Sequence, residues 1–448
     1  MKEHQNYDNS SDIGYMIKVS VVMPVYNVEE YLEEALLSVM NQTLREIEII
    51  CVNDGSTDGS LNILKKCADM DERIRIISKE NSGYGHTMNV GIEAAQGEYI
   101  GVVETDDYID STMMEELYKE AATNQLDMVK AGYREFMVNE ARDRVFKNVP
   151  ILAQKDADLY GEILNAQSDL RVFDADLVTW AGIYKCDFLN KYSIRHNETP
   201  GASYQDNGFW FQVMMHAQRL SFMDKLFYNL RRDNPNSSIY SKGKVFCMCE
   251  EYDFIREKIT ESNHPMKKEL LGICFAKRIS NYKWTLNRIA PEYRQDFYVR
   301  MRQDYEEALE RGEIRSDFLS RSDWNYVYTV LHSESLIFMD ASTMKDFARE
   351  RILKAEKIYI YGAGSWGANV YRKLQGCMCA EKVKGFLVTS KENEKESMFD
   401  IPIMELEHAE LAEDYLVIAA VADKYLAEVL TAFEAKGHKN YVLKNDLF

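Results

Sequence analysis

An acidic group in the first quarter of the chain could hold a divalent cation. Asp106 and Asp107 stand side by side after the apolar run YIGVV, and Glu104 lies two residues before the pair. Carboxylates this close repel one another and are costly to bury, whereas a hard cation accepts their oxygens as ligands and removes the repulsion. A second interpretation is equally open, since Asp107 or Asp110 could cap the helix predicted over STMMEELYKEA.

Three further segments carry groups suited to a nucleotide or to proton transfer. They are VNDGSTDGS with Asp54, NSGYGHTMNVG with His86, and SYQDNGFW with Asp206. Asp54 could accept a hydrogen bond from a base or a ribose, or could form an ordinary Asx turn. The glycine-rich loop suits a phosphate group, and His86 could contact the ligand or hold the loop. Aromatic neighbours would desolvate Asp206 and raise its pKa toward that of a general base, although an N-cap explains Asp206 as well.

These segments belong to a regular alternation of strands and helices. Strands are predicted at 19–23, 47–52, 74–77 and 99–103, and helices over 29–42, from an N-cap at Ser56, and over 86–96. Strands separated by helices predict a parallel sheet with right-handed crossovers, whose ligands bind beyond the carboxyl ends of the strands. Tyr26, Asp54 and the acidic group all follow strand ends, so we expect them to meet in one crevice.

The sequence outside this α/β domain predicts a tail before it and two further regions after it. The predicted division is a polar tail over 1–16, the α/β domain over 17–240, a helical segment over 241–349 and a smaller α/β unit over 350–448. In the last unit a strand runs into G-x-G-x-x-G, at Gly362, Gly364 and Gly367, which hints at a dinucleotide. The acid expected after the second strand is replaced by Thr389 and Ser390, so we favour a docking or dimerising module over NAD binding.

The composition limits the partners and the compartment. The formal net charge of −19 argues against non-specific binding to nucleic acid or to an anionic membrane surface. No apolar stretch approaches the ~18–20 residues that a membrane helix needs. The eight cysteines show no zinc-finger spacing, which predicts buried free thiols in a reducing cytoplasm.

Taken together, the motifs resemble those of family 2 glycosyltransferases, which have the GT-A fold, an α/β nucleotide-diphospho-sugar transferase domain. The matching segments within residues 18–240 are, in order, VSVVMPVYN, VNDGSTDGS, NSGYGHTMNVGI, GEYIGVVETDDYI and SYQDNGF. TPGASYQDNGFWF and RRDNPNSS further resemble bacterial members found with capsule and cell-surface polysaccharide synthesis. The unit over 350–448 resembles the Rossmann-like domains appended to several bacterial sugar-modifying enzymes.

The resemblance assigns expected roles. Contacts to the nucleotide sugar are expected from Pro24, Tyr26, Asn27, Asp54, Asn81, Gly83, His86, Asn89, Glu104, Thr105 and Asp106. On the acceptor side we place Trp180, Gln205, Arg231 and Arg232, although the two arginines could equally belong to a surface loop. Asp106 and Asp107 would hold Mn²⁺ or Mg²⁺, and Asp206 would be the catalytic base. Glu104 and Gln205 stand where the family usually has Asp and Glu.

The resemblance implies an inverting sugar transfer. A hydroxyl of a glycan or lipid-linked acceptor would attack C1 of a UDP-linked sugar in a single displacement. The expected enzyme is cytoplasmic, with peripheral contact to the inner face of the membrane and homo-oligomerisation both left open. Two alternatives remain. A sugar nucleotidyltransferase should carry a glycine-rich segment with Arg and Lys where this chain has PVYN, and a nucleotide-sugar-binding scaffold should have lost the metal or base acids.

Overall fold

The computed structural model forms two compact units, Met1–Cys274 and Phe275–Phe448. The described residues are 16–139, 141–202, 204–237, 242–332, 346–376, 379–390, 396–412 and 414–447. The predicted polar tail over 1–16 lies, except for its last residue, outside them, and the predicted four-part division stays a prediction. Among the helices that the structure describes, none combines the length and the apolar character needed to cross a bilayer.

The first unit is built on one mixed sheet. Its strands are β1 (Val19–Val25), β2 (Ile47–Asp54), β3 (Ile74–Lys79), β4 (Tyr99–Val102), β5 (Tyr108–Ile109), β6 (Met128–Val138), β7 (Arg144–Val149), β8 (Gly182–Lys185) and β9 (Leu220–Arg231). Its helices are α1 (Leu32–Met40), α2 (Ser60–Ala68), α3 (Tyr84–Ala94), α4 (Met113–Asn124), α5 (Cys186–Lys191), α6 (Asp206–His216) and α7 (Cys247–Glu261). A further helix, α8 (Lys267–Arg288), begins in this unit and ends in the second.

The sheet has a parallel half and a mixed half. The strand order is β3-β2-β1-β4-β8-β6-β9-β5, with β7 paired to β6. Strands β1 to β4 are parallel, as the alternating pattern predicts. Every residue of β1 and β2 is buried, because helices cover both faces of a parallel sheet, and most of these residues are apolar. Beyond β4, the strands β8 and β6 pair in antiparallel fashion, and β9 runs parallel to β6.

The first residues of three helices show which of the predicted polar residues act as helix caps. Helix α2 begins at Ser60, so the predicted N-cap at Ser56 is wrong; the Ser56 hydroxyl instead accepts a hydrogen bond from the Asn27 N–H at 3.1 Å. Helix α4 begins at Met113 without a side-chain cap, so neither acid of the 107–110 stretch caps it. Asp206 is the first residue of α6 and not its N-cap.

The second unit carries the smaller sheet. Its helices after α8 are α9 (Arg294–Glu310), α10 (Arg321–His332), α11 (Asp346–Lys354), α12 (Ser365–Gly376) and α13 (Leu426–Ala435). Its strands are β10 (Ile358–Tyr361), β11 (Val383–Val388), β12 (Ser397–Met398), β13 (Ile401–Glu405), β14 (Leu416–Ala419) and β15 (Tyr441–Leu443). The order is β12-β13-β11-β10-β14-β15, and every pair except β12–β13 is parallel. The predicted smaller α/β sheet with a helical segment before it is therefore confirmed.

The glycine motif after β10 is explained in part by packing. Gly362 has a φ of 113°, and a Cβ on Gly367 would lie 1.8 Å from the Gly362 backbone oxygen. Around Gly364, by contrast, no described atom lies within 4 Å of the Cβ position. Thr389, which stands in place of the expected acid, is hydrogen-bonded through its hydroxyl to Tyr361 at 2.5 Å. Two of the three glycines thus serve the strand–turn–helix junction, and the expectation of a docking or dimerising module in place of NAD binding stays a prediction.

Candidate active site

A cavity of about 530 Å³ lies at the carboxyl ends of β1, β2 and β4. The predicted site residues that line it are Pro24, Tyr26, Asn27, Asp54, Asn81, Gly83, Glu104, Thr105, Asp106, Asp107, Trp180, Gln205, Asp206, Arg231 and Arg232. They come from segments far apart in the sequence. The parallel half of the sheet brings together the segments that follow β1, β2 and β4, because the ends of parallel strands meet at one edge. Trp180, Asp206 and Arg231 come instead from the chain before β8, the start of α6 and the end of β9.

Two predicted residues, His86 and Asn89, do not line the cavity. The Asn89 side chain donates to the His196 backbone oxygen at 3.0 Å and accepts the His196 N–H at 2.8 Å. His86 lies on α3 between Tyr84 and Thr87, which do line the cavity. Neighbouring side chains on a helix point in different directions, so sequence proximity to the motif does not bring His86 to the ligand. Asn89 anchors the chain around His196 instead.

Asp54 organises the glycine-rich loop. One carboxylate oxygen accepts the Ser82 N–H at 2.8 Å, the other accepts the Gly83 N–H at 3.0 Å, and Lys79 is paired with the same group. The Asn81 amide donates to the Asp54 backbone oxygen at 3.1 Å. Both carboxylate oxygens are thus already used to hold the start of α3. The expected contact of Asp54 with a base or a ribose stays a prediction.

The edge of the cavity beside β1 presents an aromatic ring. Tyr26 follows β1 and is 53% exposed, whereas most large aromatic side chains of this unit are buried. Asn27 next to it has a φ of 48°, and its amide oxygen accepts the Thr57 N–H at 2.8 Å. The Thr105 hydroxyl donates to the Pro24 backbone oxygen at 2.7 Å. An exposed ring on an anchored turn is available to stack on a nucleobase.

Asp107 is buried and fully hydrogen-bonded. Its Oδ2 accepts the Tyr228 hydroxyl at 2.8 Å, and its Oδ1 accepts the Arg231 N–H at 2.7 Å. Burial raises the pKa of Asp107 well above its ordinary value, while these two donors act in the opposite sense. Arg231 also donates through Nε to the Asp106 backbone oxygen at 2.9 Å and pairs with Glu34 at 2.7 Å. Asp107 and Arg231 therefore hold the shape of the acidic loop.

Asp106 has the more available carboxylate for a cation. Its Oδ2 accepts the Asn234 amide at 2.8 Å, and no described donor is hydrogen-bonded to its Oδ1. The side chain is half-buried and lines the cavity. A carboxylate oxygen open to a polar cavity fits a hard divalent cation. Since both Asp107 oxygens are occupied, the geometry favours Asp106 over Asp107 as the ligand.

Glu104 belongs to a tyrosine-rich network that the sequence did not predict. Its Oε1 accepts the Tyr84 hydroxyl at 2.6 Å, and its backbone N–H donates to the Tyr228 oxygen at 3.0 Å. Desolvation raises the pKa of Glu104 to about 8, against the hydrogen bond from Tyr84. The longer side chain at this position is thus bound by the protein itself. Tyr84 lies within the glycine-rich motif, and that position was the sequence signal from which Tyr84 could have been predicted as a site residue.

Asp206 has the surroundings of a general base. It is the first residue of α6, and its Oδ1 accepts both the N–H and the side-chain amide of Asn207 at 3.1 Å. Desolvation by the cavity walls raises its pKa to about 6, while the Asn207 bonds and the charge of Lys130 lower it. A carboxylate of this kind is ionised at neutral pH and still accepts a proton readily.

Gln205 and Glu251 fix the start of α6. The Gln205 amide donates to the Thr199 hydroxyl at 2.9 Å and to the Gly201 backbone oxygen at 3.0 Å. Glu251, on α7, is 1% exposed, and its Oε1 accepts the Gly208 N–H at 2.7 Å. A side chain on another helix therefore satisfies an N-terminal amide of α6. This role was not predictable from the sequence, because Glu251 stands in a charge-rich segment where no single acid is distinguished.

An aromatic cluster of Trp180, Tyr133 and Tyr228 lies at the same cavity, with Trp180 and Tyr133 in its lining. The Trp180 ring stacks on Tyr228 with centroids 4.4 Å apart and meets Tyr133 edge to face at 4.7 Å. The Tyr133 hydroxyl donates to Asp176 at 2.7 Å. Arg232 also lines the cavity and donates through Nε to Glu135 at 2.9 Å. Trp180 and Arg232 line the cavity together with Tyr133 and Asp176, and the expected place of Trp180 and Arg232 on the acceptor side stays a prediction.

The fold and site define a GT-A type of transferase domain, and comparisons with known proteins give the family. Residues 20–179 match the model of glycosyl transferase family 2. The cholesterol galactosyltransferase of Borreliella burgdorferi is 31% identical over 288 residues, which are 62% of this chain and 79% of that protein. The chain belongs to glycosyl transferase family 2.

Other relatives are matched over less of their length. The uncharacterized glycosyltransferase EpsJ of Bacillus subtilis is 34% identical over 49% of this chain and 62% of its own, so the chain spans less than two thirds of it. Glycosyltransferase GlyA of Streptococcus pneumoniae is 29% identical over 56% of this chain and 36% of its own. Among solved structures, Staphylococcus aureus TarS 1–349 in complex with UDP-GlcNAc has a TM-score of 0.54 at 19% identity, covering 75% of this chain and 90% of that one. The likeness to TarS shows a shared fold.

Proposed function

We propose that this chain transfers a sugar from a nucleotide sugar, UDP-linked, to a hydroxyl of a glycan or lipid-linked acceptor, with inversion at C1. The single observation that carries the proposal is the placement of Asp206 in one cavity with Asp106 and Tyr26. That cavity joins a desolvated carboxylate to a polar wall suited to a diphosphate and to an exposed ring suited to a base. A solved relative of the fold, TarS, is in complex with UDP-GlcNAc, which supports a UDP-linked donor.

In this proposal, one set of residues binds the donor and another set serves the acceptor. On the donor side, Tyr26 offers a stacking surface and the loop held by Asp54 offers backbone amides toward the phosphates. On the acceptor side, Trp180 offers an apolar face for a sugar ring, and Asp206 accepts the proton of the attacking hydroxyl. One carboxylate is sufficient for a single displacement, because no covalent intermediate has to be formed and broken.

A divalent cation fits the donor side. Asp106 would hold it, and the bound ion would supply positive charge to stabilise the diphosphate leaving group. Hydrogen bonds within the protein hold the Asp106 carboxylate and the acidic loop in position. Arg231 and Asp107 fix the backbone of the acidic loop, and Asn234 orients the Asp106 carboxylate.

The test is release of UDP from a panel of UDP-sugars, with and without Mn²⁺, by wild type and by Asp206→Asn. We expect release by wild type that depends on the metal, and a loss of about 10²–10⁴-fold in Asp206→Asn with UDP binding retained. Asp224→Asn removes an exposed acid of β9 that does not line the cavity, and it should behave as wild type. Turnover of Asp206→Asn at the wild-type rate would exclude Asp206 as the base. Wild type that binds no UDP-sugar would overturn the proposal as a whole.

A further inference from the structure

One backbone oxygen joins the starts of two helices in the first unit. The Gly201 oxygen accepts the N–H of Tyr84, the first amide of α3, at 3.0 Å. The same oxygen accepts the side-chain amide of Gln205, the residue before α6, at 3.0 Å. The Gln205 amide nitrogen also contacts Thr199, whose Oγ1 accepts at 2.9 Å and whose backbone oxygen accepts at 3.2 Å. The starts of α3 and α6 are therefore both held to the segment 199–201.

The glycine-rich motif leaves room for this segment. A Cβ on Gly83 would lie 2.7 Å from the Gly201 N and 2.9 Å from the Thr199 backbone oxygen. A Cβ on Gly85 would lie 1.9 Å from the Asn197 backbone oxygen. A side chain at either position would push the segment away from α3, because backbones approach this closely only beside glycine. The motif thus serves a contact with the chain that leads into α6.

The two helix starts belong to opposite sides of the proposed reaction. The Asp54 carboxylate accepts the Gly83 N–H at 3.0 Å, so the loop on the donor side continues directly into α3. Asp206, the proposed base, follows Gln205 directly and is the first residue of α6. Gln205 is 1% exposed, so its amide is held inside the protein. The connection through Gly201 therefore fixes how far Asp206 lies from the donor side.

We propose that Gln205 is a positioning residue of the transfer reaction: its side-chain amide ties the start of α6 to the segment on α3 and so sets the distance from Asp206 to the bound donor. The inference rests on the proposed function, with Asp206 as the base and the loop held by Asp54 on the donor side. The amide is the group that this arrangement requires. An ionised carboxylate at position 205 would face three oxygen atoms and could donate to none of them.

The first experiment measures kcat and KM for UDP release in wild type and in Gln205→Met, with Mn²⁺ and the UDP-sugar that wild type turns over. Methionine keeps the length of the side chain and removes the amide. We expect kcat to fall about 10²-fold, because a misplacement of about 1 Å at the reacting groups costs that much. KM for the UDP-sugar should stay within about twofold of wild type, since the donor side is unchanged.

Gln212→Met is the matched control. Gln212 lies on the same helix and is 3% exposed, and its amide donates to the Arg195 and Gly208 backbone oxygens at 2.8 and 2.9 Å. It does not line the cavity and does not contact the segment 199–201. The control should lower the unfolding midpoint and keep kcat within about twofold of wild type. Equal losses of kcat in the two variants would overturn the role of Gln205.

The second experiment does not depend on turnover. Hydrogen exchange is followed by mass spectrometry in the peptide that contains Tyr84, whose N–H donates to the Gly201 oxygen. We expect exchange there to be about 2–10-fold faster in Gln205→Met than in wild type, as the loss of about one net hydrogen bond implies, and unchanged in Gln212→Met. Equal exchange in wild type and Gln205→Met would overturn the proposal.

A second variant keeps the proposal testable if Gln205→Met does not fold. Thr199→Val keeps the shape of the side chain, removes one acceptor of the Gln205 amide and lies outside the cavity lining. A fall in kcat of about 2–10-fold at unchanged KM would support the role of Gln205, and an unchanged kcat would overturn it. If wild type neither binds nor releases UDP, the proposed function fails, and the exchange of the Tyr84 peptide alone decides whether Gln205 holds the two helix starts together.

Discussion

Two acids that are neighbours in the sequence have different surroundings in the structure. The Asp107 carboxylate is buried and accepts two hydrogen bonds from β9, whereas the Asp106 carboxylate is half-buried and faces the cavity. Residues 104–107 form a turn in which the Asp107 N–H donates to the Glu104 backbone oxygen at 3.2 Å, and the two carboxylates leave this turn toward different surroundings, so one can serve the protein while the other is open to a ligand. The acid pair thus has two separate purposes.

This division predicts opposite results for two alanine substitutions. Asp107→Ala leaves the Tyr228 hydroxyl and the Arg231 N–H without their acceptor, at a cost of about 1–3 kcal/mol for each unsatisfied group. Its unfolding midpoint should fall. Asp106→Ala should unfold nearly as wild type does and lose the Mn²⁺-dependent part of UDP binding, measured by calorimetry with and without the metal. Equal loss of stability in both variants would contradict the division.

The sequence predicted that the acidic group would meet Tyr26 and Asp54 in one crevice, and all of them line one cavity. It did not predict that Asp106 and Asp107 would have different surroundings. The pattern places Asp106 and Asp107 after a strand, and strand ends converge. The partners of Asp107 lie more than a hundred residues later, on a strand whose pairing to β5 is not encoded locally. For the same reason the burial of Lys130 could not be predicted, since it follows from long-range pairing of β6 with β8 and β9.

At the scale of elements, the parallel half of the sheet was predictable and the mixed half was not. Strands β1 to β4 are separated by helices with clear periodicity, and each connection is short. The pairing of β6 with β7, β8 and β9 combines both directions and contains register shifts around Gly132. Such pairings depend on contacts distant in sequence, so local patterns carry little information about them.

The junction between the glycine-rich loop and α3 gives a second prediction. Gly83 has φ 90° and ψ 168°, a conformation that side chains resist, and a Cβ there would lie 2.7 Å from the Gly201 N. Gly83→Ala should therefore displace the loop and weaken UDP binding markedly. Gly161→Ala is the matched control, because Gly161 also has a positive φ, 75°, but no described atom within 4 Å of its Cβ position. It should lose about 1–2 kcal/mol of stability and retain UDP binding, measured by calorimetry.

The contact between α7 and α6 gives a third prediction. Glu251→Ala removes the acceptor of the Gly208 N–H, so the start of α6 and Asp206 should lose their fixed position. We expect kcat to fall with little change in the affinity for UDP, because the proposed function places UDP at Tyr26 and at the loop held by Asp54. Glu251→Gln keeps an acceptor oxygen and should recover most of the activity. Equal loss in both variants would contradict the role given to the hydrogen bond from the Gly208 N–H.

At the scale of the whole molecule, the buried acids predict how stability depends on pH. Desolvation raises the pKa of Glu251 to about 8 and that of Asp206 to about 6. The folded state therefore binds more protons than the unfolded state between about pH 4 and these values, and stability falls as pH rises through that window. The unfolding midpoint should be higher at about pH 5.5 than at about pH 8.5. Glu251→Gln should flatten this slope, and an unchanged slope would contradict the assignment.

The Tyr228 side chain contacts both the acidic loop and Trp180. The Tyr228 hydroxyl bonds to the acidic loop through Asp107 and the Glu104 N–H, and the face of the same ring lies against Trp180. Under the proposed function, a lineage that exchanged its acceptor through a change at Trp180 would also disturb the acidic loop proposed to serve the donor. Acceptor and donor preferences are therefore expected to diverge together among descendants of this chain. Engineering one preference alone would require a compensating change at Tyr228.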